Sequence, residues 1–168
     1  MANNNIQQWF ESIDIDRSGE LDVGELQRAL SLGNLHFGVS DVDQMIRAFD
    51  TRGRRRLSLM EFQRLHEFLV NIQSSFAYFD ADRSRTLVRD EVRQALRHSG
   101  FQLDEPVLVA MMSRHDPDNS GTLTLDEYIR MCLFLQSCVR TFTAFDPQRT
   151  GQIRLDFNQW VYAASHVA

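Results

Sequence analysis

In the segment DIDRSGELDVGE, five oxygen-bearing side chains and one backbone carbonyl recur at the intervals of a cation-binding loop. They are Asp14, Asp16, Ser18, the carbonyl of Glu20, Asp22 and Glu25, at positions 1, 3, 5, 7, 9 and 12. Calcium is a hard cation that takes six to eight oxygen ligands, and a twelve-residue loop supplies them from these positions around a glycine at the sixth. Gly19 stands there. In this scheme Asp22 acts through water and Glu25 binds through both carboxylate oxygens.

A second segment, DPDNSGTLTLDE, repeats the pattern with Asp116, Asp118, Ser120, the carbonyl of Thr122, Thr124 and Glu127, turning at Gly121. It brings three ligand carboxylates against four in the first loop, and charge count tunes affinity, so the weaker site is expected here. His115 precedes it where the other segments carry an apolar residue, and is expected as a partly exposed histidine at a helix end.

Three further segments keep the frame and lose part of the chemistry. DADRSRTLVRDE retains Asp80, Asp82, Ser84, the Thr86 carbonyl and Glu91, but has Arg85 in place of glycine and Val88 at the ninth position. A left-handed backbone at a residue with a Cβ costs roughly 1 to 2 kcal/mol, so these residues leave open whether that loop holds an ion. DTRGRRRLSLME puts Arg52 and Arg54 at ligand positions and Arg55 at the turn. DPQRTGQIRLDF puts Arg154 at the ninth and Phe157 at the twelfth. Both are expected to be metal-free.

The opening aspartates Asp14, Asp50, Asp80, Asp116 and Asp146 are separated by 36, 30, 36 and 30 residues, an internal repeat that fixes the architecture. Where the gap is shorter, the spans Phe62 to Phe79 and Tyr128 to Phe145 contain neither Gly nor Pro, so each predicts one helix that leaves one loop and enters the next. Where it is longer, Gly33 and Gly38, or Gly100 and Pro106, divide the span into two helices. Ser40 with Asp43 reads as the start of the second entering helix.

The expectation is an all-α chain, a single domain over 1–168, with eight helices. They form five helix-loop-helix units at about 5–32, 41–70, 71–99, 106–135 and 136–166. Short antiparallel bridges should join paired loops through their apolar eighth residues, Leu21, Leu57, Leu87, Leu123 and Ile153. Five units cannot pair internally. The last is left with Phe157, Trp160, Val161, Tyr162 and Val167, and an isologous contact through Leu155, Phe157 and Trp160 would bury them.

With 43% hydrophobic and 24% charged residues, the chain has the composition of a soluble globular protein, and its net charge of −5 is carried by the candidate loops. Nucleic-acid binding is not expected from that balance. Arg52, Arg54, Arg55 and Arg56 form one dense basic patch, read as solvated surface. Cys132 and Cys138 are too far apart on one helix to pair, which predicts free thiols and a reducing compartment. The start MANNNIQQWF lacks the features of a signal peptide or a myristoylation site, so the expected localisation is cytoplasmic.

The five-loop spacing, the shared helices and the segments FDTRG, DRSGELDVGELQRAL and GQIRLDFNQW resemble the penta-EF-hand family, most of all its apoptosis-linked branch (programmed cell death protein 6-like). That resemblance implies an eight-helix cytosolic dimer joined through the fifth hand. On binding calcium it would expose an apolar groove for Pro-rich partner segments and move toward membranes. The branch relies on its first and third hands, whereas this chain keeps the fourth and alters the third.

The leading functional expectation is therefore a calcium sensor and adaptor with Ca2+ as its only cofactor, a homodimer or a heterodimer with another penta-EF-hand chain. Met111, Met112, Phe68, Tyr78, Phe134 and Trp160 are its candidate groove residues. The alternatives are a regulatory subunit of a calcium-dependent cysteine protease, and a constitutive scaffold with structural calcium. An enzyme in its own right is not expected: neither cysteine has a nucleophile context and the paired carboxylates are all accounted for as loop ligands.

Overall fold

Five helices end where a loop aspartate takes over, at Asp14, Asp50, Asp80, Asp116 and Asp146, and the others end at Gly33, Ser99 and His166. In a computed structural model, which describes residues 2–167, the helices are α1 (Ala2–Ile13), α2 (Val23–Leu32), α3 (Val39–Phe49), α4 (Leu59–Phe79), α5 (Arg89–His98), α6 (Glu105–His115), α7 (Leu125–Phe145) and α8 (Phe157–Ser165). The two Gly- and Pro-free spans are single helices of 21 residues each. One position of the sequence reading shifts. The second entering helix starts at Val39 rather than Ser40, because Gly38 is its N-cap and Asp41, not Asp43, stands at the third helical position and accepts the Gly38 amide.

Four short strands join the loops in pairs. β1 (Glu20–Leu21) runs antiparallel to β2 (Leu57–Ser58) with Leu21 opposite Leu57. β3 (Thr86–Val88) runs antiparallel to β4 (Thr122–Thr124) with Leu87 opposite Leu123. All four leucines are fully buried, so each bridge is also a core contact. The fifth loop forms no strand in the described residues, and its Ile153 is only partly buried.

The apolar stripes meet in one core. Trp9 of α1 stands edge-on to Phe62 of α4 at 5.2 Å, and Phe76 of α4 meets the buried ring of Tyr128 on α7 at 5.9 Å. Helix α7 packs along both α3 and α4 and so ties the two halves together. Two arginines of α7 fasten it to α3 at both ends. Arg130 pairs with Asp41 at 3.2 Å in the first turn, and Arg140 donates to the carbonyls of Arg47, Ala48 and Asp50 at the last. Among the described residues no helix is long and apolar enough to cross a membrane.

Candidate metal centre

All five loops share one backbone course, set by the first aspartate. Asp14 accepts the amides of Ser18 and Gly19 at 3.0 and 2.8 Å. Asp116 does the same with Ser120 and Gly121, and Asp146 with Thr150 and Gly151. The fourth and sixth positions are left-handed throughout. Where glycine is missing at the sixth, Arg55 (φ 56°) and Arg85 (φ 67°) adopt the same conformation and carry its steric cost. The arginines therefore leave the loop's path intact and change only what lines it.

The first loop is the one in which carboxylates converge: Asp14, Asp16 and Glu25 each place an oxygen within 4.8 Å of the others, the only such group among the described residues. Glu25 is held there through both carboxylate oxygens. One oxygen accepts the Asp22 amide at 3.0 Å as half of a capping box for α2, and the other accepts the Ile15 amide at 2.9 Å across the loop. The Glu25 side chain is thus buried and aimed inward before any ion enters. Bonds from the Ser18 hydroxyl and amide hold the Asp16 carboxyl below its usual range, so it is ionised at neutral pH. An all-oxygen donor set with converging negative charge fits a hard divalent cation.

In the fourth loop the Ser120 hydroxyl reaches Asp116 at 3.1 Å and Thr122 O at 3.1 Å, and the Ser120 amide donates to Asp118 at 3.1 Å. Glu127 stays out of the group, bonded to the amide and hydroxyl of Thr124 at 2.8 Å each. The third loop is similar: Asp80, Ser84 and the Thr86 carbonyl are joined, Asp82 binds the Ser84 amide, and Glu91 caps Val88 at 3.0 Å. The loops thus divide by pair. The first two have the twelfth-position glutamate folded in, and the third and fourth have it turned out.

The second loop is closed by protein alone. Glu61 accepts from the amide and hydroxyl of Thr51 and from the amide and hydroxyl of Ser58, at 2.6 to 2.9 Å. Burial pushes its carboxyl up, but those four bonds outweigh burial and hold it at about 2. Its arginines lie at the surface, as the sequence suggested, and three of them also form ion pairs there. Arg52 and Arg54 reach Glu20 at 3.5 and 2.9 Å, while Arg56 reaches Asp16 Oδ2 at 3.5 Å and Ser18 Oγ at 3.2 Å. Sequence reasoning missed these contacts because they cross a bridge between loops. The register of Leu21 on Leu57 is the signal that puts position 7 of one loop beside positions 3 and 5 of the other.

The fifth loop is two residues longer than the twelve-residue reading. Its helix is capped by Asp156, and Gln159, not Phe157, makes the reciprocal bond at 3.0 Å. Asp-x-x-Gln is a capping box legible in the sequence. The extension leaves Phe157 free of the loop and 77% exposed, with Trp160 60% exposed. Leu155 and Trp160 line, with Ile153, Phe134, Phe142 and Phe145, a cavity of about 450 Å³ between α7 and α8. Of the other groove candidates, Tyr78 is exposed, Phe68, Met111 and Phe134 are partly buried, and Met112 is core.

His115 packs on Phe134 at 5.9 Å, and its Nε2 is buried without a hydrogen-bond partner among the described residues. Burial, then the charges of Arg114 and Arg130, lower it to about 4, so the ring is neutral. Cys132 and Cys138 are both free. Burial pushes Cys132 up to about 12 and Cys138 above its usual value, which leaves neither thiol reactive.

The family of EF-hand domain pairs matches residues 3–66 and 70–133 of the chain. Penta-EF hand domain-containing protein 2 of Dictyostelium discoideum is 30% identical over 154 residues, which cover 92% of this chain and 74% of that protein. Peflin of Danio rerio is 31% identical over 159 residues, 94% of this chain, and the chain spans 59% of peflin's length. A solved structure of a homolog of programmed cell death 6 protein from Leishmania major Friedlin superposes with a TM-score of 0.68 at 28% identity. The match covers 97% of this chain and 94% of that one. With its five loops, its shared helices and these matches, the chain belongs to the penta-EF-hand family of calcium-binding proteins.

Proposed function

We propose that this chain is a cytoplasmic calcium-controlled adaptor, with its regulatory sites in the first and fourth loops and its assembly face in the fifth hand. The observation that carries this reading is the division of the loops by pair. Glu25 is already folded into the first loop, whereas Glu127 is turned out of the fourth and held only by Thr124. The bound ion supplies a positive charge that neutralises the converging carboxylates. To join such a site, Glu127 would bring its second carboxylate oxygen inward, as Glu25 already does while keeping its capping bond, and would draw the start of α7 with it. Because α7 continues from the fourth loop into the fifth and is fastened to α3, that movement reaches the cavity lined by Phe134, Phe142 and Trp160.

Phe157, Trp160, Val161 and Tyr162 form an exposed apolar face on α8, and this supports pairing with the fifth hand of a second chain, the same or homologous. Partners with Pro-rich segments, and membrane surfaces, are the proposed targets once calcium is bound. No enzymatic role is proposed. An environment-sensitive apolar dye tests the reading. Its fluorescence should rise on adding calcium to the wild-type chain and stay flat in the Glu25→Ala, Glu127→Ala double variant. An equal rise in both would remove calcium control. Sedimentation of the purified chain as a stable monomer would point instead to a regulatory subunit that needs a catalytic partner's hand.

A further inference from the structure

Three oxygens that the first loop offers to a cation are already engaged, two of them by one side chain of the neighbouring loop and the third from within the loop. The Arg56 guanidinium lies 3.5 Å from Asp16 Oδ2 and 3.2 Å from Ser18 Oγ, and the Ser18 hydroxyl donates to the Glu20 carbonyl at 2.8 Å. These belong to positions 3, 5 and 7 of the loop. Arg52 and Arg54 add positive charge beside the same loop by pairing with the Glu20 carboxylate. The fourth loop repeats the serine-to-carbonyl bond, Ser120 Oγ to Thr122 O at 3.1 Å, yet no ion pair reaches Asp118 among the described residues. The arginine contact is therefore particular to the first loop, whereas the serine-to-carbonyl bond is common to both.

We propose that Arg56 is a resident counter-cation of the first loop, which lowers that loop's calcium affinity and sets its dependence on ionic strength. The second loop cannot hold an ion, because Glu61 is spent on Thr51 and Ser58 and its ligand positions carry arginine. It acts instead on its bridge partner, with β1 and β2 fixing the reach. Filling the first loop requires Asp16 and Ser18 to release the guanidinium, so occupancy by calcium and the Arg56 contact exclude each other. The inference rests on the first loop being a calcium site.

The test follows the Gly19 amide by NMR during a titration with calcium chloride alone, on the full chain, in the wild type and in Arg56→Gln. The Gly121 amide reports the fourth loop in the same spectra. Exposed ion pairs are individually weak, so Arg56→Gln should tighten the first loop by roughly two- to fivefold, and raised salt should narrow the gap. Arg56→Lys, which keeps the charge, should stay near the wild type. Arg17→Gln, which removes a positive charge from the first loop itself without breaking an ion pair, is the control for bulk charge.

Equal tightening in Arg17→Gln and Arg56→Gln would overturn the proposal, as would a first-loop affinity unchanged in Arg56→Gln while the wild type binds. A Gly19 amide that responds in neither protein would overturn the first loop as a site and the proposal with it. A response only in Arg56→Gln would support it.

Discussion

Glu61 and Thr51 close the second loop in the same way that Glu25 and Ile15 close the first: in each, the glutamate accepts the amide of the loop's second residue at 2.9 Å. Unlike Glu25, Glu61 also accepts from two hydroxyls, those of Thr51 at 2.6 Å and Ser58 at 2.7 Å. Protein donors there fill the place that an ion would take. Glu61→Ala should therefore destabilise the chain by about 2 to 3 kcal/mol, the scale of losing bonds to a buried charged acceptor, as read by urea unfolding without calcium.

The same residue carries a pH dependence. Its folded pKa, about 2, lies below the ordinary 4.5, so the ionised form stabilises the fold. That contribution is complete above pH 4.5 and is lost as the pH falls toward 2. Unfolding followed from pH 6 down to 2 should show a smaller loss of stability in Glu61→Gln than in the wild type.

Arg140 donates to three carbonyls at the last turn of α3, the nearest being Arg47 O at 2.7 Å. Since α7 also carries the fifth hand, the guanidinium links that hand to the second. Arg140→Ala should cost about 1 kcal/mol. Hydrogen exchange should speed up at the α3 terminus, beginning with the Asp50 amide, and remain unchanged in α6.

Arg85 holds the left-handed turn of the third loop at φ 67°, where a Cβ is unfavourable. Arg85→Gly should stabilise the chain by about 1 kcal/mol in thermal unfolding and strengthen calcium binding at the Asp80 loop. A loss of stability would mean that the Arg85 side chain contributes more than its backbone costs.

The proposed assembly face on α8 exposes Phe157, Trp160, Val161 and Tyr162. Trp160→Ala should shift sedimentation of the chain toward monomer, because Trp160 combines large exposed area with a place in the α7–α8 cavity. Tyr78→Ala, exposed but far from the fifth hand in sequence, serves as the comparison.

The sequence was most informative where chemistry repeats. The spacing of Asp14, Asp50, Asp80, Asp116 and Asp146 gave the eight helices, and the apolar eighth residues gave the bridges Leu21 to Leu57 and Leu87 to Leu123. What it hid depends on contacts between distant segments. The ion pair of Arg56 with Asp16 is legible only once the bridge register is known. The side on which Glu127 lies is a choice between two sets of bonds that the residue types do not distinguish. The two-residue extension of the fifth loop escaped a fixed twelve-residue frame, although Asp156 and Gln159 mark it.

The central claim is tested most directly by calorimetric titration of calcium into the purified chain in millimolar magnesium, beside Glu25→Ala. The account predicts two or three sites per chain with micromolar affinity, and loss of the tightest one in Glu25→Ala. No saturable heat in the wild type, or an unchanged tightest site in the variant, would contradict it.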